Sequence, residues 1–237
     1  MAESNSFIQD LQRRISQNFI DNNRWKFMTN GLANTLRITF FALLLGLVLG
    51  FVIALVRVTY DTTGRMKSAN ALVKLYVTVI RGTPAVLQLM IIYYVIFADL
   101  RIDKYIAAIL GFGINSGAYV SEIFRAGIMS IDTGQMEAGR SLGLNYNQSM
   151  WRIVMPQAIK NVLPAIGNEF ITLLKETSIA GYIAVQDLTM GANIIRSLTY
   201  DPFIPLIGAA VIYLALVLLL QAGVGMLERR LAKSDRR

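Results

Sequence analysis

The sequence predicts an all-α membrane protein with five transmembrane helices. Two long runs carry no charged residue: residues 38–56, which number 19, and residues 202–227, which number 26. A bilayer core about 30 Å thick needs roughly 20 helical residues, so either run could cross it. Only 16% of the 237 residues are charged, whereas about 25% is usual for a soluble domain. A soluble protein with two buried core helices is the weaker alternative, because so short a chain could not enclose both.

Five apolar segments account for the hydropathy pattern of the chain. Their predicted bounds are 31–57, 69–98, 104–129, 155–179 and 203–228. The second contains Arg81-Gly82-Thr83-Pro84, and we expect it to be broken or kinked there, because proline lacks an N–H donor and clashes with the preceding turn. The fourth contains Glu169 and Lys175, so hydropathy alone identifies it poorly.

Lysine and arginine are concentrated on one side of the predicted chain. The connections 57–74 and 130–154 and the C-terminus hold most of the basic residues outside the spans. By the positive-inside rule, these segments are cytoplasmic and the N-terminus lies outside. The predicted organisation is an N-terminal extracytoplasmic segment, a transmembrane domain with the connection 130–154 on its cytoplasmic side, and a basic cytoplasmic tail, with bounds 1–29, 30–230 and 231–237.

The composition excludes several classes of function. The chain has no cysteine and no histidine, so it has no disulfide or thiolate metal site and lacks the commonest general base and metal ligand. Its 23 Lys+Arg exceed its 15 Asp+Glu, which in a membrane chain reflects basic cytoplasmic loops next to lipid rather than a nucleic-acid partner. The N-terminus lacks the layout of a cleaved signal peptide, so the first span is expected to act as an uncleaved insertion signal.

The connection 130–154 is the most informative segment. Residues 135–142 favour a short helix that Gly143 ends, and a second helical stretch over 147–155 leads into the fourth span. A short exposed helix between two membrane helices can dock in a groove on a partner. Glu137 and Arg140 are three residues apart and share a face of that helix. The alternative is a solvated loop without a partner.

At this segment the chain resembles the permeases of binding-protein-dependent ABC importers. Their cytoplasmic "EAA" motif is Glu-Ala-Ala, three residues, Gly, nine residues, Ile, one residue, Leu-Pro. This chain has Glu137-Ala138-Gly139, three residues, Gly143, nine residues, Ile153, one residue and Met155-Pro156. Every spacing is kept, and the two departures, Gly139 for alanine and Met155 for leucine, are small or apolar exchanges.

Three further segments resemble the polar-amino-acid branch of that family. They are 81–84 followed by an apolar run with Gln88, 117–128 with the sequence GAYVSEIFRAGI, and 168–178 with NEFI and LKETS. The resemblance covers about residues 30–230. It implies a type I ABC importer permease with cytoplasmic coupling helices, in a bacterial cytoplasmic membrane, that carries a polar amino acid.

The resemblance also implies roles for the residues of the loop. In such importers the EAA loop forms coupling helices that sit in a cleft on the ATPase subunit. The expected docking residues here are Glu137, Ala138, Gly139, Arg140 and Gly143. The chain has no G-x-x-x-x-G-K-[ST] sequence, so ATP and Mg would be bound by a separate ATPase, with no cofactor in this chain and no catalysis by it.

Polar residues inside the predicted spans are candidates for the substrate pathway, because intramembrane charges usually face the bundle interior or an aqueous cavity. In the third span Asn115, Tyr119 and Glu122 fall at i, i+4 and i+7, on one face. In the fourth, Glu169, Thr172 and Glu176 form a similar stripe, with Asn168 and Lys175 beside it. Glu169 could bind the ammonium group of an amino acid, and an unwound stretch of backbone or Lys175 could bind its carboxylate.

The alternative for these charges is structural. Glu122 with Arg125, and Lys175 with Glu169 or Glu176, could form ion pairs that stabilise packing or lie near a membrane face.

Five spans are too few to enclose a pathway, so we expect a second permease subunit. A homodimer is favoured and a heterodimer remains open. The resemblance adds an extracytoplasmic solute-binding protein as a partner. Two other classes stay in view: an ion- or proton-coupled carrier that works without an ATPase, against which the lack of an internal repeat argues, and an assembly subunit without a pathway.

Overall fold

Helices form most of the chain in the computed structural model, which describes residues 2–234. Ten α-helices follow in order: α1 Ala2–Ile15, α2 Trp25–Thr63, α3 Lys67–Gly82, α4 Ala85–Ile91, α5 Lys104–Met129, α6 Thr133–Ser141, α7 Tyr146–Ser149, α8 Met155–Glu176, α9 Leu188–Thr199 and α10 Phe203–Ser234. Short π-helical turns extend α1, α4 and α7 at their C-terminal ends. No strand occurs between residues 2 and 234, as the predicted fold class requires.

The helices α2 and α5 form the centre of the molecule. They pack so closely that a Cβ atom added at Gly50 of α2 would lie 2.6 Å from Cγ1 of Val120. On α5, a Cβ at Gly113 would lie 2.6 Å from Cδ2 of Leu45. Small residues at such a seam let two helix backbones approach, which is the usual basis of helix association in a membrane.

The predicted break in the second span is present. The helix α3 ends at Gly82, Thr83 is extended with φ −123° and ψ 150°, and α4 begins after Pro84. The two pieces are bent by 111°. Because proline has no N–H and its ring excludes the helical conformation of the preceding residue, the chain turns at this point.

Within residues 2–234, three helices are each long and apolar enough to cross a membrane: α2, α5 and α10. The bent α3–α4 pair makes a fourth candidate if it forms one broken span. The helix α8 follows the predicted fourth span closely but falls short in hydropathy, as its charged residues led us to expect. The count of five spans therefore stays a prediction.

The helix boundaries can be compared with the span boundaries that hydropathy predicted. The helix α5 has the bounds predicted for the third span, 104–129, whereas α2 extends the first span from 31–57 to 25–63. Polar and charged residues at the ends of α2 lie outside the uncharged run but are still helical. Of the predicted basic tail 231–237, α10 includes residues up to Ser234, and residues 235–237 lie outside the described chain, as does Met1.

Two helices were not anticipated. The helix α9 begins after Asp187, whose buried carboxylate accepts hydrogen bonds from the N–H groups of Thr189 and Met190, at 3.0 Å each. It packs against α2 so tightly that a Cβ at Gly191 would lie 2.4 Å from the carbonyl oxygen of Phe27. The helix α1 lies in the segment 1–29, for which the sequence analysis gave no helix.

Candidate functional site

The connection between α5 and α8 forms a helical elbow, as predicted. The carboxylate of Asp132 caps α6 by accepting a hydrogen bond of 2.7 Å from the N–H of Gly134. At the other end, Gly143 has φ +85°. Its N–H donates to the carbonyl oxygen of Arg140 at 2.9 Å, and the N–H of Leu144 donates to the carbonyl oxygen of Gly139 at 3.1 Å. This pair of bonds is a Schellman ending, which favours glycine at the left-handed position.

The second half of the elbow begins with a capping box. The side chain of Asn145 accepts from the N–H of Gln148 at 2.9 Å, and the side chain of Gln148 accepts from the N–H of Asn145 at 2.9 Å. The helix α7 then passes through a π-helical turn, Met150–Val154, into α8 at Met155. The predicted helical stretch 147–155 is thus helical throughout, although most of it is not regular α-helix.

The expected docking residues differ in exposure. Glu137, Ala138, Arg140 and Gly143 are exposed, whereas Gly139 is buried. A Cβ at Gly139 would lie 2.7 Å from Oγ of Ser149 and 2.8 Å from Cδ1 of Ile153. Glycine at this position therefore lets the two halves of the elbow pack together. Glu137 and Arg140 share the outer face without an ion pair between them.

The elbow is fixed to the ends of three helices. Val58 of α2, Ile128 of α5 and Ala158 of α8 form a buried cluster with Val154 and Met155. The hydroxyls of Thr62 and Tyr146 share a hydrogen bond of 3.0 Å. An open cleft of about 320 Å³ lies between α2 and the elbow, and Met136, Glu137 and Arg140 line its rim. A force on the exposed face of α6 would therefore pass directly into α2, α5 and α8.

Gly143→Ala is expected to weaken this ending of α6. A Cβ there has open space around it, so the cost arises from the left-handed backbone alone and should be about 1 kcal/mol. Gly223→Ala is the matched control, because Gly223 also has open space and lies within α10 without a positive φ. The free energy of unfolding, measured in a denaturing detergent, should fall for Gly143→Ala and not for Gly223→Ala. Gly143→Asn should be intermediate, and equal stability in all three variants would contradict the turn's role.

An open groove of about 480 Å³ runs between α3, α5 and α8, beyond the elbow. Three of the predicted pathway residues line it: Tyr119, Glu122 and Glu169. Arg81, at the break in the second span, also lines it, with its guanidinium carbon 5.2 Å from the centre of the Tyr119 ring. The groove thus presents both a cation and carboxylates, which is the polarity that a zwitterionic solute requires.

Glu122 also bridges two arginines. It accepts from Arg125 at 3.1 Å, as the i, i+3 spacing predicted, and it pairs with Arg57 of α2. Arg125 lies 3.7 Å from Asp61, so two cations and two anions join the C-terminal ends of α2 and α5. The structural ion pair between Glu122 and Arg125, which was the alternative to a role in the pathway, is therefore present. Glu122 also lines the groove. The pairing of Arg57 with Glu122 was not predicted, because the first span was predicted to end at residue 57.

Asn115 is buried and does not reach the groove. Its Nδ2 donates to Oε1 of Gln88 at 2.8 Å. The amide nitrogen of Gln88 in turn donates to the carbonyl of Ile80 at 2.7 Å and to Oγ1 of Thr83 at 2.6 Å. These bonds satisfy carbonyl groups that the helix break leaves without partners, as backbone within a membrane demands. The i, i+4, i+7 spacing of Asn115, Tyr119 and Glu122 cannot show that Asn115 binds Gln88 while the other two line the groove.

The polar residues of α8 lie on two faces and not on the single predicted stripe. Glu169 turns toward α5 and accepts a hydrogen bond of 2.8 Å from Oγ of Ser116. Asn168, Thr172 and Lys175, spaced i, i+4 and i+7, form the exposed polar face instead. Lys175 borders a separate cleft of about 350 Å³ beside Thr189 and Tyr213. Neither Glu169 nor Glu176 forms an ion pair with it in the described part of the chain.

A family model described as the binding-protein-dependent transport system inner membrane component matches residues 42–233. The chain belongs to this family. It is therefore a membrane component of a binding-protein-dependent transport system, and the elbow and the groove are parts of such a component rather than of an enzyme.

Several relatives are similar to the permease over most of its length. It is 41% identical to the arginine transport system permease protein ArtQ of Bacillus subtilis, over 88% of this chain and 94% of that protein. It is 37% identical to a putative glutamine transport system permease protein GlnP of Rickettsia bellii, over 88% and 94%. It is 33% identical to the L-cystine transport system permease protein TcyB of Bacillus subtilis, over 93% of both.

Solved structures agree with the fold. A crystal structure of an amino acid ABC transporter with histidines superimposes with a TM-score of 0.80 at 42% identity, over 86% of this chain and 94% of that one. An inward-facing structure of the MetNI methionine ABC transporter has a TM-score of 0.74 at 22% identity, over 89% and 98%, and shows a shared fold. The permease fold that the sequence predicted is confirmed.

Proposed function

We propose that the chain is the membrane-spanning permease subunit of an ATP-driven importer for a polar amino acid. The observation that carries this proposal is the elbow at 130–154: a rigid, capped pair of helices with an exposed face, anchored on three helices of the bundle. A loop built in this way is suited to receive a movement from a partner and pass it into the membrane domain. Relatives named for arginine, glutamine and cystine transport support an amino acid as the solute.

The energy source in this proposal is a separate ATPase subunit that binds ATP and Mg. Glu137, Ala138 and Arg140 form the contact, since they are exposed on α6, and Gly143 holds the turn that presents them. Gly139 contributes by letting α6 lie against Ser149 and Ile153. Small and charged residues on an exposed helix suit insertion into a cleft on a partner.

The proposed assembly contains two permease subunits, two ATPases and an extracytoplasmic solute-binding protein. The groove and the exposed polar face of α8 (Asn168, Thr172 and Lys175) are open on one side, and polar side chains in a membrane are expected to face a protein interior or water. A second permease subunit would enclose them, and a second copy of this chain is favoured over a related chain because nothing in the sequence demands asymmetry. The elbow and C-terminus lie in the cytoplasm, and the N-terminus lies outside, as the loop charges predict.

The solute pathway in this proposal follows the groove. Glu169 and Glu122 are acceptors for an ammonium group in the groove, and Arg81 is a donor for a carboxylate there. Lys175 is a second donor, in the separate cleft beside Thr189 and Tyr213. Asn115 acts on the pathway indirectly, by holding Gln88 against the break beside Arg81. Tyr119 contributes the ring on which Arg81 rests, which fixes the direction of that guanidinium.

Single-cysteine crosslinking tests the docking contact. The natural chain has no cysteine, so Ala138→Cys introduces a unique thiol on the exposed face of α6. We expect a short bifunctional reagent to link it to a cysteine in the ATPase cleft within the purified complex, and we expect ATP to change the yield. Asp99→Cys is the matched control, since it is exposed in the opposite connection. Linking at Asp99 but not at Ala138 would reject both the contact and the orientation.

A further inference from the structure

The helix α1 is amphipathic and has an exposed apolar face. Ile8, Leu11 and Ile15 lie within about 60° of one another around the helix, at 100° per residue. Ile8 is 48% exposed and Ile15 is 42% exposed. Asp10 and Arg13 lie on the opposite side and form an i, i+3 ion pair of 3.7 Å. The apolar side of such a helix usually packs against a protein core or, at a membrane, against lipid.

A polar clamp fixes the C-terminal end of α1 to the connection between α9 and α10. Arg14 donates two hydrogen bonds to Asp201, at 3.0 Å from Nε and 2.7 Å from the terminal nitrogen. Asn18, which is fully buried, donates to Asp201 at 2.9 Å and accepts from Thr199 at 2.8 Å. The hydrogen bonds from Arg14 lower the pKa of Asp201 to about 2, so the pair is ionised at neutral pH.

The position of the clamp sets the depth of α1. Asp201 lies two residues before the start of α10, and Arg14 also lies over the ring of Phe203, 6.0 Å from its centre. Phe203 begins an exposed apolar surface that continues along α10 through Ile207 and Val211. The helix α10 is a membrane-span candidate with little of its apolar length buried, so this surface faces lipid. The clamp therefore holds α1 where that lipid-facing surface begins.

The segment from α1 to α2 has the residues of a membrane interface. Ile20 and Trp25 are exposed, and Trp25 is the first residue of the longest span candidate, with the ammonium of Lys26 5.9 Å from its ring. Tryptophan concentrates at the headgroup level of membrane proteins. Arg13 and Lys26 add exposed positive charge that complements anionic headgroups.

We propose that α1 is an interfacial anchor, which lies along the membrane surface with Ile8 and Ile15 in the outer part of the acyl region and with Arg13 toward water. The occupant of the apolar face is lipid, because α1 is clamped beside the start of the lipid-facing surface of α10 and is followed by an exposed tryptophan and basic residues. The loop charges predict that this is the extracytoplasmic surface. The inference requires only that the chain spans a membrane and does not rest on the transported solute or the ATPase.

Fluorescence quenching by lipid tests the anchor. Ile8→Cys, Ile15→Cys and Arg13→Cys each place the only thiol of the chain on α1, where an environment-sensitive fluorophore can be attached. The labelled permease, in complex with its ATPase, is placed in nanodiscs with lipids that carry a nitroxide near the top of the acyl chain. We expect quenching at Ile8 and Ile15 to be at least about twofold greater than at Arg13.

Three results would overturn the inference. Equal quenching of the labels at Ile8 and Arg13 would place α1 in water. Shielding of the Ile8 label only after the binding protein is added would make the apolar face a protein contact. Excimer emission between labels would indicate that a second copy of the chain covers it. Asp201→Asn in the Ile8→Cys background tests the clamp separately, since quenching at Ile8 should fall toward the value measured at Arg13. Unchanged quenching in that variant would show that the clamp does not hold α1.

Discussion

Reversing the charge of Glu137 should abolish transport while leaving the permease folded in the membrane. Glu137 is exposed on the outer face of α6, at the rim of the cleft beside α2, and forms no ion pair within the part of the chain that the structure describes. Its replacement by lysine therefore costs the isolated chain little. At a docking contact, however, a like-charge encounter or an unpaired partner group costs several kcal/mol.

The expected size of this effect follows from the affinity scale. A loss of about 1.4 kcal/mol at the contact reduces binding about tenfold, so Glu137→Lys should lower ATP-driven uptake by about tenfold or more. Permease-stimulated ATP hydrolysis should fall with it. Asp99→Lys makes the same change at an exposed acid in the opposite connection, and it should retain uptake. If Glu137→Lys transports normally, the exposed face of α6 is not the docking surface.

Neutralising Glu122 should destabilise the permease strongly. This carboxylate pairs with Arg57 and Arg125, and its side chain is only 21% exposed. Glu122→Gln leaves two guanidinium groups close together within the membrane domain without their shared counter-charge. Removing one partner of a largely buried pair is much more costly than removing both, and we expect a loss of about 2–3 kcal/mol in the free energy of unfolding.

A double-mutant cycle separates the structural role of Glu122 from a role in the pathway. Arg125→Gln removes one of the two cations, so the double variant Glu122→Gln/Arg125→Gln should lose less stability than the sum of the single variants. Unfolding by a denaturing detergent measures this, and uptake is measured on the same preparations. A variant Glu122→Gln that unfolds like the natural protein but no longer transports would assign Glu122 to the solute instead of the network.

Local sequence rules predicted the elbow well. The stop at Gly143 depends on one residue's tolerance of a positive φ, and the break at Thr83-Pro84 depends on the missing N–H of proline. Both are properties of the chain at one position, independent of what packs nearby. The Glu122–Arg125 pair was predicted for the same reason, since an i, i+3 spacing fixes the distance between two side chains on any helix.

The remaining features depend on how the helices are placed. A helical wheel puts Glu169 and Thr172 on one side of α8, but it does not show that Ser116 of α5 lies opposite Glu169 and turns it inward. The bond from Asn115 to Gln88 joins positions 27 residues apart. Arg57 reaches Glu122 only because α2 continues to Thr63, beyond the uncharged run that defined the predicted span. Hydropathy and residue spacing cannot predict such contacts, because they arise from tertiary packing.

The helix α1 was missed for a different reason. Its apolar residues are few and its overall hydropathy is low, so a search for long apolar runs passes over it. The recurrence of Ile8, Leu11 and Ile15 at helical spacing was the available signal.

Uptake by reconstituted proteoliposomes tests the central claim most directly. The purified permease is inserted alone or with its ATPase, and the binding protein and a radiolabelled polar amino acid are supplied on the extracytoplasmic side. The account predicts uptake only when the ATPase and ATP–Mg are both present, with none driven by a proton or sodium gradient across liposomes that contain the permease alone. Gradient-driven uptake by the permease alone would contradict it, and would make the chain a carrier that works without an ATPase.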